Sequence, residues 1–182
     1  GLLKMHTPNK KHTKRNLVIF IVLVLGLAAL SGIVEPLTVP PDADPGTSGL
    51  GQLLWLIAPL GVMLLLRIFG GDGCDDIGLR PNFKGNGFWW LASVLVFPVV
   101  ITLSVLIGTL LGGLAVDATM FSVFVAALIP GFISAIIKNI FEEFAWLGYL
   151  APKVYSLKLN IWLSHAIVGL VWGVWHLPFI FV

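Results

Sequence analysis

The chain has 182 residues, of which 58% are hydrophobic and only 11% are charged, and its mean hydropathy is +0.99. Soluble domains are roughly half apolar and a quarter charged, so this composition excludes a soluble domain and indicates an integral membrane protein. A net charge of +2 gives no indication of nucleic-acid binding. The single cysteine, Cys74, excludes an internal disulfide, and its acidic neighbours do not favour a nucleophilic thiolate.

The first segment, residues 1–15, is rich in Lys and is predicted to be a basic cytoplasmic tail. Residues 1–4 precede Met5 and are interpreted as a cloning remnant. The apolar run that follows exceeds the roughly 7–15 residues of a signal-peptide core and lacks a clear cleavage site, so it is predicted to be a retained first span.

A helix needs about 20 mostly apolar residues to cross the bilayer core. Five stretches reach this length: Leu17–Leu37, Leu50–Phe69, Phe88–Gly112, Met120–Leu150 and Asn160–Val182. The fourth is too long for a simple perpendicular span, so it is expected either to be strongly tilted or to lie partly outside the hydrocarbon, and Pro130–Gly131 offers a position for a break. Lys and Arg occur in every second segment outside the apolar stretches, beginning with the N-terminal tail. Because Lys and Arg are retained on the cytoplasmic side, this predicts that the N-terminus is cytoplasmic and that Val182 lies near the opposite face of the membrane. The predicted fold class is all-α, a polytopic transmembrane helix bundle whose partner is the lipid bilayer of a bacterial or archaeal plasma membrane.

Ionisable side chains within these stretches are candidate functional residues, because each costs roughly 2.5–3.5 kcal/mol to insert. The candidates singled out are Arg67, Lys138, Glu142, Glu143, His165 and His176. Arg67 and Lys138 are expected to extend along their aliphatic stems toward the cytoplasmic interface.

The adjacent acids Glu142 and Glu143 point to different faces of a helix, because successive residues are about 100° apart. Glu142 shares its face with Lys138, Trp146 and Tyr149. Separate roles are therefore expected for the two acids, one chemical and one supporting. The alternative is that Lys138 and Glu142, spaced i to i+4, form an internal ion pair that serves membrane insertion alone.

One face of the last stretch carries His165, Gly169, Trp172 and His176, separated by four, three and four residues. Gly169 and Gly173 form a small-xxx-small pair, so another helix is expected to pack closely on this face. The two histidines are roughly 16 Å apart along a helix axis, too far to share one metal ion. His165 is interpreted as structural, and His176 is the functional candidate.

A glutamate and a neutral histidine from two helices can activate a water molecule, since both can exchange protons with it. Glu142 and His176 are predicted to form such a pair. They could instead be two ligands of a divalent metal such as zinc, although the sequence contains no H-E-x-x-H motif. A proton-coupled transport path is a further alternative, because carboxylates within membranes also relay protons.

Three motifs resemble one family, the CPBP membrane proteases, which include CAAX proteases and bacteriocin-processing enzymes and are also called the ABI family. E-E-F-A-W-L-G-Y-L, starting at Glu142, resembles the E-E-x-x-x-R motif that is usually followed by Gly-Tyr-Leu. W-G-V-W-H-L-P, starting at Trp172, resembles F-x-x-x-H, and D-I-G-L-R-P resembles a common earlier element.

The resemblance implies an intramembrane endopeptidase, similar to type II CAAX prenyl endopeptidases, that cleaves a membrane-tethered peptide or a prenylated protein near the cytoplasmic side. Glu142 and His176 would activate the attacking water, and Glu143 would support the site or hold the substrate. If a metal such as zinc takes part, Glu142 and His176 are its candidate ligands. The candidate substrate-binding or supporting side chains are Trp146, Tyr149 and Trp172.

The sequence differs from the family pattern at three points. Leu147 occupies the arginine position, so Glu143 is expected to be buried without its i to i+4 cationic partner. Trp172 replaces a phenylalanine and keeps an aromatic wall. The chain stops at Val182, before the third motif H-x-x-x-N/D, so residues 16–182 are interpreted as a protease domain without its last spans. These differences support an alternative, a catalytically degenerate relative that acts as a bacteriocin-immunity or membrane scaffold protein.

Overall fold

The computed structural model describes residues 10–44, 46–74, 83–115 and 117–180, apart from the side chains of residues 10, 11, 97, 118 and 127–129. Helices account for most of these residues, which include no β-strand, and the predicted all-α class is confirmed. The elements are α1 Lys10–Thr38, α2 Leu50–Ile68, α3 Gly87–Leu110, α4 Ala118–Ala145, a π turn Trp146–Leu150, α5 Ala151–Ser156 and α6 Ile161–Ile180. The D-I-G-L-R-P motif, the first nine residues and Val182 lie outside the described residues.

Four of the described helices, α1, α2, α3 and α6, are long and apolar enough to cross a bilayer. A fifth candidate span consists of Thr119–Ala126 and Pro130–Ser156, which are bent by 46°. Proline removes one helical N–H and its ring crowds the preceding turn, so Pro130 accounts for the bend. At Pro130–Gly131, where the sequence offered a break, α4 is bent but continuous. Helices are the form that apolar segments adopt in lipid, because they satisfy their own backbone hydrogen bonds.

The chain divides into two compact units, residues 1–77 with 136–182 and residues 78–135. In the first unit, side chains from α1, α2, α5, α6 and the π turn form one core that includes Phe20, Val24, Met63, Val154 and Trp175. In the second unit, most apolar side chains of α3 and the earlier part of α4 are exposed. Such surfaces are stable in a bilayer, where lipid chains take the place of a buried core.

The contact between α1 and α2 is organised around a buried glutamate, Glu35. Its carboxylate accepts the backbone N–H of Gly49 at 2.7 Å and that of Gln52 at 2.6 Å. N–H groups at a helix start have no intrahelical partner, so Glu35 caps α2 from the neighbouring helix. Gly51 permits this approach, because a Cβ there would collide with the backbone of Ser31 and Glu35.

A proline determines the shape of the chain after α4. In an α-helix the carbonyl of Gly148 would accept the N–H of residue 152, but Pro152 has none. The chain widens into the π turn, in which the Ala151 N–H bonds to the Trp146 carbonyl five residues earlier. The turn begins three residues after the second of the two adjacent acids.

A buried polar group, which we call the Asp72 cluster, consists of Asp72, Tyr149, Lys153 and Asn16. The Asp72 carboxylate accepts the Tyr149 hydroxyl at 2.6 Å and the Lys153 Nζ at 2.9 Å. Burial alone would raise the pKa of Asp72, but the hydrogen bonds from these two donors and from Asn16, with the charge of Lys153, outweigh it and lower the pKa. The cluster therefore fixes the loop after α2 against the π turn and α5.

Candidate active site

Glu142 is buried near the end of α4. Its Oε1 atom lies 3.5 Å from the Nζ of Lys138, and the two side chains are 8% and 52% exposed, respectively. The i to i+4 ion pair that the sequence allowed is therefore present. At this distance the pair includes no hydrogen bond that satisfies Oε1, which has no hydrogen-bond partner among the described residues. A buried carboxylate oxygen without a donor is unfavourable, and a bound water or substrate group would relieve that cost.

Trp55 of α2 connects the acid to the last helix. The Nζ of Lys138 lies 5.6 Å from the centroid of the Trp55 ring, a cation–π contact. The same ring stacks on Trp175 of α6 at 3.9 Å between centroids and meets His176 at 5.6 Å. The Trp55 Nε1 donates to the Trp175 carbonyl at 2.9 Å, which fixes the ring. We call Trp55, Lys138, Glu142, Trp175 and His176 the Trp55 cluster. Three helices thus bring the predicted acid and histidine into one group of contacts.

The orientation of His176 is set by its own helix. Its Nδ1 lies 2.8 Å from the carbonyl oxygen of Trp172. A carbonyl oxygen only accepts hydrogen bonds, so Nδ1 is the donor and Nε2 carries the lone pair of the neutral ring. The rings of Trp172 and Trp175 meet the imidazole edge-on at 5.2 and 4.6 Å. His176 therefore presents Nε2 as its base or hydrogen-bond acceptor.

Glu143 is exposed, so the expectation that it is buried without compensation is wrong. Leu147, which occupies the arginine position of the motif, is also 64% exposed. Both side chains therefore lie on a face of a candidate membrane span that the described residues leave uncovered. The π turn also changes the face that α-helical spacing predicts, since Leu150 is fully buried although it lies seven residues after Glu143.

Arg67 was expected to extend toward the interface, but it is only 2% exposed. Its Nη1 donates to the Gly73 carbonyl at 2.9 Å and its Nη2 to the Gly148 carbonyl at 3.1 Å. The second contact has a clear cause, because Pro152 cannot supply the N–H that Gly148 would meet in an α-helix. The buried guanidinium is thus stabilised by hydrogen bonds to backbone carbonyl groups that need donors.

The face of α6 that the sequence singled out is not the one that the described residues bury. The buried residues of α6 are Ser164, Val171 and Trp175. Trp172 is 44% exposed, and a Cβ at Gly169 or Gly173 would meet no described atom within 4 Å, so the expected close helix contact is not formed here. The large Trp175 ring buries more apolar area than a glycine can. This explains why α6 buries the face of Trp175 and not the face of Gly169 and Gly173. His165 is exposed, and its Nδ1 lies 3.1 Å from the Tyr155 hydroxyl.

The three aromatic candidates occupy different environments. Trp146 is 3% exposed and meets the Trp175 ring edge-on at 5.2 Å, so it borders the Trp55 cluster. Trp172 contacts the imidazole from the exposed side of α6. Tyr149 is fully buried, and its hydroxyl is engaged by Asp72. Trp146 and Trp172 thus contact Trp175 and His176 of the Trp55 cluster, respectively, whereas Tyr149 belongs to the neighbouring polar cluster.

The side chains that the structure brings together do not form a zinc site. Across the described ranges, no group of three or more His, Cys, Asp or Glu side chains is placed to hold a metal ion. Glu142 and His176 would supply two ligands, whereas a catalytic zinc has three protein ligands.

The sequence does not single out Trp55 and Trp175, although both are central to the site. Trp175 had a usable signal, since it directly precedes His176. Trp55 had none, because a tryptophan within an apolar helix has the same local pattern whether it packs in a core or borders a site. Its role depends on the tertiary contact between α2 and α6.

The fold and the site define a class, a polytopic α-helical membrane protein in which a histidine packs in an aromatic cluster and a lysine connects that cluster to a buried acid. A family model described as type II CAAX prenyl endopeptidase Rce1-like matches residues 122–182. CAAX prenyl protease 2 of Methanococcus maripaludis is 31% identical to this chain over 91 residues, which cover 48% of the chain and 33% of that relative. The chain therefore spans a third of the relative's length. No solved structure matches the chain significantly. The predicted resemblance to the CAAX protease, or CPBP-like, family is confirmed.

Proposed function

We propose that this protein is an intramembrane endopeptidase that hydrolyses a peptide bond in a membrane-associated substrate with a water activated by Glu142 and His176. The family match includes both residues and Glu143. The proposal rests chiefly on the Trp55 cluster, which contains a buried carboxylate oxygen without a hydrogen-bond donor and a histidine whose Nδ1 is already engaged. An unsatisfied acceptor and an available ring nitrogen are the two groups that a reactive water requires.

The reaction can be written with these groups alone. Glu142 Oε1 accepts a proton from the water as its oxygen attacks the scissile carbonyl carbon, and His176 Nε2 accepts a hydrogen bond that orients the same water. The tetrahedral intermediate then breaks its C–N bond, and the proton held by Glu142 passes to the leaving amine. Both catalytic groups return to their starting protonation states. Glu143, on the adjacent helix face, would support the site or hold the substrate.

The substrate class follows from the location of the site and from the relative. The site is built on helices that are long and apolar enough to lie in a bilayer, so a peptide tethered to the membrane can reach it by lateral diffusion. The name of the archaeal relative favours a prenylated C-a-a-X-type peptide over other membrane peptides. Trp146 and Trp172 would border such a peptide, and a cytoplasmic N-terminus would place the basic links on the cytoplasmic side.

The test uses the protein reconstituted in liposomes with two fluorogenic peptides, one farnesylated at a C-a-a-X cysteine and one anchored by an apolar helix. Glu142→Gln and His176→Asn should each lower kcat/KM by about 10²–10⁴-fold, the usual contribution of a general acid–base group. Far-ultraviolet circular dichroism and the thermal midpoint should stay close to those of the unmodified protein.

His165→Asn is the matched control, because this histidine lies on the same helix but contacts Tyr155 instead of the cluster. It should cleave both peptides at the unmodified rate. Full turnover by Glu142→Gln or His176→Asn would overturn the proposed mechanism, and cleavage of neither peptide by the unmodified protein would overturn the proposed activity.

A further inference from the structure

The residues directly after the two acids depend on a hydrogen bond from another helix. Pro152 deprives the Gly148 carbonyl of its α-helical donor, and the chain adopts the π turn Trp146–Leu150. The Nη2 of Arg67, on α2, donates to that carbonyl at 3.1 Å. A buried carbonyl that loses its helical partner needs such a donor, because an unsatisfied one is unfavourable.

The guanidinium makes more than this one contact. Its Nη1 donates to the Gly73 carbonyl at 2.9 Å, and its carbon lies 5.5 Å from the centroid of the Tyr149 ring. The side chain is 2% exposed. Arg67 therefore fixes the π turn from two directions, through the Gly148 backbone and through the Tyr149 ring, and also holds the loop that follows its own helix.

The π turn is connected to both proposed catalytic groups, to one through the chain and to the other through packed rings. Trp146, its first residue, is one helical turn after Glu142 and meets Trp175 edge-on at 5.2 Å. Trp175 is adjacent to His176. A shift of the turn would therefore move the acid through its own helix and the histidine through the packed indole rings. Displacements of about 1 Å at a site can lower a rate roughly 10²-fold.

We propose that Arg67 is a positioning residue, which sets the relative placement of Glu142 and His176 by fixing the π turn through the Gly148 carbonyl. The predicted effect on turnover rests on the proposed function. The inference also predicts a structural effect, which is independent of that function. Arg67 brings a positive charge from α2 to the Gly148 carbonyl of this motif, whereas position 147 in the motif itself is leucine.

The test compares Arg67→Lys and Arg67→Met with Arg15→Lys and Arg15→Met. Lysine keeps the charge but lacks the planar fork that reaches two carbonyls at once. We expect kcat to fall about 10-fold for Arg67→Lys and about 100-fold for Arg67→Met, with KM and the pH profile of kcat little changed. Arg15 is the matched control, since it donates to the Gly70 carbonyl at 2.9 Å but is exposed. Its variants should keep the unmodified kcat.

A second readout does not depend on activity. Amide hydrogen exchange in residues 146–151 should become about tenfold faster or more in Arg67→Lys, as expected for the loss of a hydrogen bond to a charged group. Exchange at Gly49 and Gln52, which Glu35 holds, should not change.

Each result supports or overturns the inference. Unchanged kcat per folded molecule would overturn the positioning role, even if the thermal midpoint falls and exchange in the π turn becomes faster, because a purely structural role would produce that outcome. If Arg67→Met does not fold, Arg67→Lys decides. If the unmodified protein cleaves no peptide, the proposed function fails, and the exchange measurement alone then decides whether Arg67 fixes the turn.

Discussion

The Asp72 cluster and the Trp55 cluster lie in the same compact unit, but their polar atoms are satisfied to different degrees. In the Asp72 cluster both carboxylate oxygens accept short hydrogen bonds, one from Tyr149 and one from Lys153. In the Trp55 cluster Glu142 Oε1 has only a loose ion pair with Lys138, and no described group donates a hydrogen bond to it. The two acids thus differ in how fully their oxygens are hydrogen-bonded, although both lie in the same unit.

This difference separates stability from reactivity. A carboxylate with donors on both oxygens holds its surroundings in one arrangement and has little capacity left for a ligand. A buried carboxylate with an unused oxygen reduces stability, and such a group is retained where it binds or reacts. We therefore interpret Asp72 as the acid that holds the site together and Glu142 as the acid that reacts.

The largest expected effect is the loss of stability when the Asp72 cluster is broken. Asp72→Asn leaves Lys153, 7% exposed, without its anionic partner, and should lower the free energy of unfolding by about 3 kcal/mol. Glu142→Gln should lower it by less than about 1 kcal/mol, because its partner Lys138 is half exposed and such pairs contribute little. Thermal unfolding in detergent micelles, with denaturant titration, measures both changes.

The double variant Asp72→Asn/Lys153→Met is the control for this comparison. It removes the uncompensated ammonium, so it should recover part of the stability lost in Asp72→Asn. Equal losses in Asp72→Asn and Glu142→Gln would contradict the distinction between a structural acid and a reactive one.

A smaller effect should appear in the pH dependence of stability. The pKa of Asp72 is lower in the folded protein than its ordinary value, so the unfolded chain binds its proton first as the pH falls. The stabilisation is complete above the ordinary aspartate pKa of about 4 and is lost as the pH falls through the folded value. Thermal midpoints measured from pH 6 to pH 3 should therefore fall more steeply for the unmodified protein than for Asp72→Asn. Parallel curves would show that Asp72 titrates alike in both states.

How much of the fold and of the candidate site could be predicted depends on how far apart in sequence the interacting residues lie. The spans follow from apolar length, and the ion pair of Lys138 with Glu142 follows from i to i+4 spacing, so both are local signals. The burial of Arg67 and the roles of Trp55 and Asp72 depend on partners roughly 80 to 120 residues away, to which no local pattern points. Pro152 is intermediate, since it predicts a lost hydrogen bond but not the donor that replaces it.

The smallest expected effect tests whether the arginine of the sequence motif would have a role at position 147 of this structure. Leu147→Arg restores the arginine of the E-E-x-x-x-R pattern, four residues after Glu143. Both side chains are exposed, so the new pair should add only about 0.3–0.5 kcal/mol to the free energy of unfolding and should leave kcat unchanged. Leu147→Gln, which is polar but uncharged, controls for the loss of an apolar side chain. If Leu147→Arg instead raised kcat or stability strongly while Leu147→Gln did not, Glu143 would have to be buried in the working protein. The motif arginine would then have a function at position 147 that Arg67 does not replace.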